Sequence, residues 1–199
     1  VVTKTFPASD VAILARLGVH DVGENRDQEA RAKHADLGEE GAALDWHMIG
    51  QLQRNKAASV ALWADVVESV DRAGIVAPLG RGAVSHGRVI RALVQVALDE
   101  PLRADRGGVA PAEVMDVAAL VAAEPGLHLA GVMGVAPWPG GDPDAAFARL
   151  AAVAAEVRGR WPDATTMSAG MSGDLEEAVR HGATQVRIGG AVLGARDYV

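Results

Sequence analysis

Runs of β-branched and apolar residues alternate with stretches of helical periodicity along the whole chain. Positions 1–6, 19–23, 44–49, 66–70, 92–98, 128–135, 164–168 and 185–189 read as strands. Amphipathic or alanine-rich segments near 8–17, 26–37, 51–63, 76–90, 111–123, 143–160 and 174–181 read as helices, followed by a short apolar tail from Ala191. Pro111 and Pro143 suit a first helical turn, Asp174 with Glu177 has the spacing of a capping box, and Gly18 and Gly182 stand where helices should stop. Strict βα alternation requires parallel strands joined by right-handed crossovers. Eight such units predict a single α/β TIM barrel, (β/α)8, although 199 residues is at the short end for that fold. An open doubly wound sheet is the alternative, and the glycine fingerprint it would carry after the first strand is missing from TKTFPASD. The segment APWPGGDP at 136–143 reads as a long βα loop.

With 49% hydrophobic residues the chain can bury one sizeable core, so one domain over 1–199 is expected. A net charge of −7, without a basic run and with only seven aromatic residues (four Trp, two Phe, one Tyr), gives nucleic-acid binding little support. No apolar stretch approaches the roughly 18 residues of a membrane span. The absence of cysteine removes disulfide and thiol chemistry and suits a cytoplasmic protein. No signal peptide is visible; the chain starts at a strand without an initiator Met, so residues ahead of Val1 are expected, and any targeting segment would lie among them.

Composition changes the reading of one residue in particular. Of 19 basic side chains only Lys4, Lys33 and Lys56 are lysines, and Lys4 lies inside the apolar run VVTKTFP. It is either a snorkelling edge residue or a functional amine. Lys33 and Lys56 fall on helical segments, where solvent-facing positions are expected. In a barrel the chemistry sits at the C-terminal ends of the strands, with phosphate often bound by the last two βα loops. Here those loops are MSAGMSGD and RIGGAVLGAR. Gly189 and Gly190 allow a close backbone approach to an anion, the N–H groups of the turn from Ala191 point outward, and Ser168 offers a hydroxyl; each is also an ordinary turn or cap residue. Arg187 shares a strand face with Gly189 and either pairs with Glu24 or Asp71 or meets a ligand. Glu24 and Asn25 of VGEN are placed at the mouth, and in WHMIGQLQRNK the residues Trp46 and Met48 read as core and His47 as a hydrogen-bonded structural histidine. A desolvated lysine near a phosphate site fits a ligand bearing both aldehyde and phosphate, such as pyridoxal 5′-phosphate (PLP), or a sugar phosphate in a Schiff-base aldolase.

VVTKTFP, VGENRDQE, WHMIGQLQRNK and MSAGMSGDLEEAVRHGATQVRIGGAVLGAR, in that order, resemble the motifs of the pyridoxal phosphate homeostasis protein family, whose fold is similar to the barrel domain of alanine racemases. The resemblance covers nearly the whole chain. It implies that Lys4 forms a covalent aldimine with PLP, that Ser168, Gly189 and Gly190 hold the phosphate, that Arg187 lies near the pyridine nitrogen, and that Asn25 is close to the cofactor. It further implies a monomeric carrier in vitamin B6 homeostasis that delivers PLP to apo-enzymes, without a metal and without robust catalysis; a weak racemase or an aldolase is the alternative. A cation beside the pyridine nitrogen weakens the electron sink, and the only tyrosine available as a second acid is Tyr198. Two departures matter: Met167-Ser168-Ala169-Gly170 replaces Leu-Ser-Met-Gly, and Gly190 replaces a hydroxyl residue, which removes a phosphate donor. The family's helix ahead of the lysine strand is expected upstream of Val1.

Overall fold

The computed structural model describes residues 1–103, 105–137 and 140–194. Six parallel strands follow one another in chain order: β1 (Asp21–Glu24), β2 (Asp45–Met48), β3 (Val66–Val70), β4 (Ile90–Val96), β5 (Leu127–Gly134) and β6 (Thr166–Ser168). The sheet is curled. All five residues of β3 are buried, as expected of a parallel strand covered on both faces.

The main core fills the layer between the convex side of the sheet and the helices. Val22, Trp46, Val67, Val94, Val132 and Met167 of the strands belong to one cluster with Val11, Ala30, Leu79, Val121 and Leu150 of the helices. A second, small cluster holds Leu93, Ala130 and Met133.

The helices α1 (Ala8–Arg16), α2 (Asp27–Leu37), α3 (Glu39–Ala42), α4 (Ala57–Val60), α5 (Val76–Ser85), α6 (Val114–Ala123), α7 (Pro143–Arg160), α8 (Leu175–Arg180) and α9 (Gly190–Leu193) connect and follow the strands. Two sequence-predicted stops have the geometry that glycine provides. Gly18, at φ +84°, donates to Ala15 O while Val19 donates to Leu14 O, and Gly182 with Ala183 repeats the pattern onto Val179 and Ala178. Pro143 opens α7, and Asp142 caps it by accepting from the N–H groups of Asp144 and Ala145.

Four expectations are corrected. The predicted strand 1–6 contracts to a single bridge between Val2 and Gly23, because the chain reverses over Thr3–Phe6, where Phe6 N–H donates to Thr3 O at 3.1 Å. Lys4 therefore sits in a turn, not in a strand. The predicted strand 185–189 contracts likewise to a bridge between Gln185 and Ser168. Eight expected strands are thus six strands and two bridging segments. Residues 51–63 are not one helix: a 3-10 turn at Arg54–Lys56 leads into α4, and Leu62 and Trp63 tighten into i−3 bonds so that Trp63 Nε1 reaches Asp27 at 3.0 Å. The capping box at Asp174 does not form, since its carboxylate turns back to accept from Met171 N–H at 2.6 Å.

Candidate functional site

One hydrogen bond fixes the geometry of the candidate site. Val2 N–H donates to Ile188 O at 2.7 Å, so the first and last segments run side by side, and Lys4 and Gly190 both lie two residues beyond this bond. On its other side the first segment is held to β1, with Gly23 N–H on Val1 O and Thr3 N–H on Gly23 O. Lys4, half-buried, thus follows a segment held between β1, which runs into Asn25, and the segment that leads into Gly189 and Gly190. Asn25 is half-exposed and is approached so closely by Gly50 that a Cβ there would lie 2.2 Å from Asn25 O. At the opposite side, Val192 and Leu193 both donate to Gly189 O, and a Cβ on Gly190 would meet no atom within 4 Å. The turn is therefore open to a ligand, with the leading N–H groups of α9 lacking intrahelical partners.

Below this opening lies a buried polar cluster. Arg187 does not pair with Glu24 or Asp71. Its Nη1 donates to Ser168 Oγ at 2.7 Å, its Nη2 to Gly134 O at 2.8 Å, and Nη1 lies 3.9 Å from Glu68 Oε2. The fully buried Ser168 hydroxyl in turn donates to Glu68 Oε2 at 2.5 Å, so its one proton is committed. The other oxygen of Glu68 accepts from Gln185 Nε2 at 2.6 Å and contacts His47 Nδ1 at 2.7 Å, while His47 Nε2 reaches Asp21 at 3.0 Å.

The charges in this cluster are set by one another. Burial opposes protonation of His47, yet its bonds to Asp21 and Glu68 prevail and raise its pKa to about 9, so it is an imidazolium at neutral pH. Burial likewise pushes the Glu68 carboxyl up, but the hydrogen bond and charge of His47, with Arg187 and Ser168, outweigh it and hold the pKa below the usual glutamate range. Burial lowers the pKa of Arg187, against the opposing pull of Glu68.

Glu24 is not at the mouth. It is fully buried and turned toward α2, where Oε1 accepts from Thr3 Oγ1 at 2.6 Å and from Lys33 Nζ at 2.8 Å. Lys33 is also buried, contrary to the solvent-facing position expected for it. Trp46 and Met48 are core, as expected. Sequence reasoning missed Glu68, although an acid inside the valine-rich VVESV was a visible signal. It also missed Gln185 and the partnership of Lys33. Tyr198 lies outside the described residues, as do positions 138 and 139 of the 136–143 loop. Among the described residues no group of three or more metal-ligating side chains forms a cage, and no helix is long and apolar enough to cross a membrane.

A model of the alanine racemase N-terminal domain family matches residues 2–197. The pyridoxal phosphate homeostasis protein of Mycobacterium tuberculosis is 47% identical over 214 aligned positions, which cover 98% of this chain and 81% of that protein. The chain belongs to the pyridoxal phosphate homeostasis protein family. The structure of PipY from Synechococcus elongatus, solved with PLP bound, is 33% identical and superposes with a TM-score of 0.86, covering 97% of this chain and 90% of that one. The alanine racemase of Corynebacterium glutamicum shares the fold at 15% identity and a TM-score of 0.70, over 98% of this chain and 56% of that one. The homeostasis-family motifs thus lie on an alanine racemase N-terminal domain fold, with Lys4 and the glycine turn on neighbouring segments.

Proposed function

We propose that this chain binds PLP and holds it covalently on Lys4, as a carrier in cytoplasmic vitamin B6 homeostasis that passes the cofactor to apo-enzymes. The observation that supports this reading is the Val2–Ile188 hydrogen bond, which pairs the segment carrying Lys4 with the segment leading into the open Gly189–Gly190 turn. PLP supplies an aldehyde whose carbon bonds to a neutral lysine amine with loss of water. The residues present fit such a group: an amine, an anion-accepting turn with free space at Gly190, and a buried guanidinium two residues ahead of that turn. PipY, solved with PLP bound, supports the assignment.

In this reading the N–H groups at Gly189 and Gly190 meet the phosphate, without the hydroxyl donor that Gly190 lacks. Ser168, expected to hold the phosphate, has its one proton committed to Glu68 and would contribute instead through Arg187, whose Nη1 donates to it; Arg187 would lie near the pyridine nitrogen. Asn25 borders the ligand from the end of β1. The first and last segments close the curled sheet into a (β/α)8 barrel, and the chain acts as one monomeric domain. The experiment is an absorbance spectrum of protein incubated with PLP, followed by borohydride reduction and peptide mapping. A pyridoxyl group on Lys4 is the expected result. Modification at Lys33 or Lys56 instead would overturn the assignment; Lys33, with three acceptors on its ammonium, has no lone pair to offer.

A further inference from the structure

We propose that Lys33, on the helix side of the sheet, is a positioning residue for Lys4: it pins the turn that carries Lys4 and sustains the left-handed backbone of Thr5. The inference rests on the reading of Lys4 given above. Three bonds define it, two buried and one partly buried. Lys33 Nζ donates to Thr3 O at 2.8 Å, to Glu24 Oε1 at 2.8 Å and to Glu29 Oε1 at 2.7 Å, so its three protons join the turn, the end of β1 and the first turns of α2.

The turn needs such support. Thr5 has φ +69°, the one non-glycine residue with positive φ among the described residues. A β-branched side chain is strained there, and strain of this kind persists only where the surroundings over-determine it. Here the amide of Thr5 donates to Glu29 Oε1, the same oxygen that Lys33 holds. Thr3, which starts the turn, is fixed at its N–H by Gly23 O, at its carbonyl by Lys33 and Phe6 N–H, and at its hydroxyl by Glu24. Lys4 is the residue between these two anchors. The direction in which its side chain leaves the turn follows from the dihedrals that the anchors impose.

An ion cluster serving the fold alone would not explain why its ammonium and one carboxylate are spent on the backbone on either side of Lys4. Electrostatics agree with a tightly closed cluster. Burial pushes the Glu24 carboxyl above its usual range despite Lys33 and Thr3, while Glu29, also pushed up by burial, is brought below its usual range by Lys33 and Thr5.

The test compares wild type with Lys33→Met, Thr5→Gly, the double variant Lys33→Met/Thr5→Gly, and Glu29→Gln. Each is titrated with PLP by absorbance, and its ligand-free thermal midpoint is measured in parallel. Lys33→Met is expected to lose about tenfold in PLP affinity, the scale of one charge-assisted hydrogen bond. Glycine adopts positive φ without strain, so Thr5→Gly in the Lys33→Met background should recover part of that affinity while leaving the lowered thermal midpoint unrecovered. Glu29→Gln, which keeps the Lys33–Glu24 pair, should show the same loss in milder form and covers the case in which Lys33→Met does not fold. Unchanged affinity in Lys33→Met, or in Glu29→Gln if only that variant folds, would overturn the inference, as would a double variant with no recovery. If borohydride fixes PLP on Lys4 in the wild type, such a result rejects only the role of Lys33; fixation elsewhere in the wild type rejects the carrier assignment itself.

Discussion

His47 shows how a side chain's role follows from what closes around it. An imidazole pressed between Asp21 and Glu68, with Glu68 also facing Arg187 and Gln185, is a cation first and a proton donor only at a cost. Its folded pKa of about 9 is raised above the ordinary value near 6.5. Its contribution to stability is therefore fully present below about pH 6.5 and is lost as pH rises through 9. The gap in unfolding free energy between wild type and His47→Gln should accordingly narrow by up to about 3 kcal/mol across that window in urea titrations. A gap that stays constant from pH 6 to about 10 would show that His47 is not the imidazolium the geometry describes. The same residue illustrates what a sequence conceals: a hydrogen-bonded histidine was legible, but not that its partner is an acid in β3 that was read as part of an apolar run.

Among the elements, helices with strong local signals appear where the sequence places them: α7 begins at Pro143 and α1 stops before Gly18. Three of the errors fall where tertiary bonds compete with local pattern, at the two bridging segments and at 51–63; the fourth, the capping box at Asp174, is lost to a local bond from Met171 N–H. Strand pairing also depends on one position that periodicity hides. Gly131 of β5 has φ +148°, and a Cβ there would lie 1.9 Å from Thr166 O of β6, while the register to β4 shifts between Ala92 and Leu93. Gly131→Ala should therefore destabilise by about 3 kcal/mol or more, through backbone strain and separation of β5 from β6. Gly159→Ala, where a Cβ meets nothing within 4 Å inside α7, should instead be neutral or stabilise by about 0.5 to 1 kcal/mol. Chemical denaturation of the two variants checks both signs; equal effects would contradict the described packing.

At the scale of the whole molecule, the proposed carrier role makes a prediction about turnover. Racemisation needs an acid across the ring from the lysine, and His47 of the polar cluster is already engaged at both ring nitrogens. PLP-loaded protein should racemise alanine only at trace levels; a turnover number in the ordinary enzymatic range of ~1 to 10³ per second would refute the carrier reading. The amino-acid sequence by itself determined the βα alternation, the parallel strands, the family motifs and the singular lysine of the first segment, because each is written in neighbouring residues and in the period of their apolar positions. Only the tertiary structure decided that Lys4 lies in a turn, that Lys33 is buried among acids, and that Arg187 belongs with Glu68 and Ser168. Those outcomes depend on groups far apart in the chain: Glu68 meets partners 21, 100 and 117 residues away. Charges taken out of water must find counter-charges wherever the fold brings them, and no local pattern records which they will be.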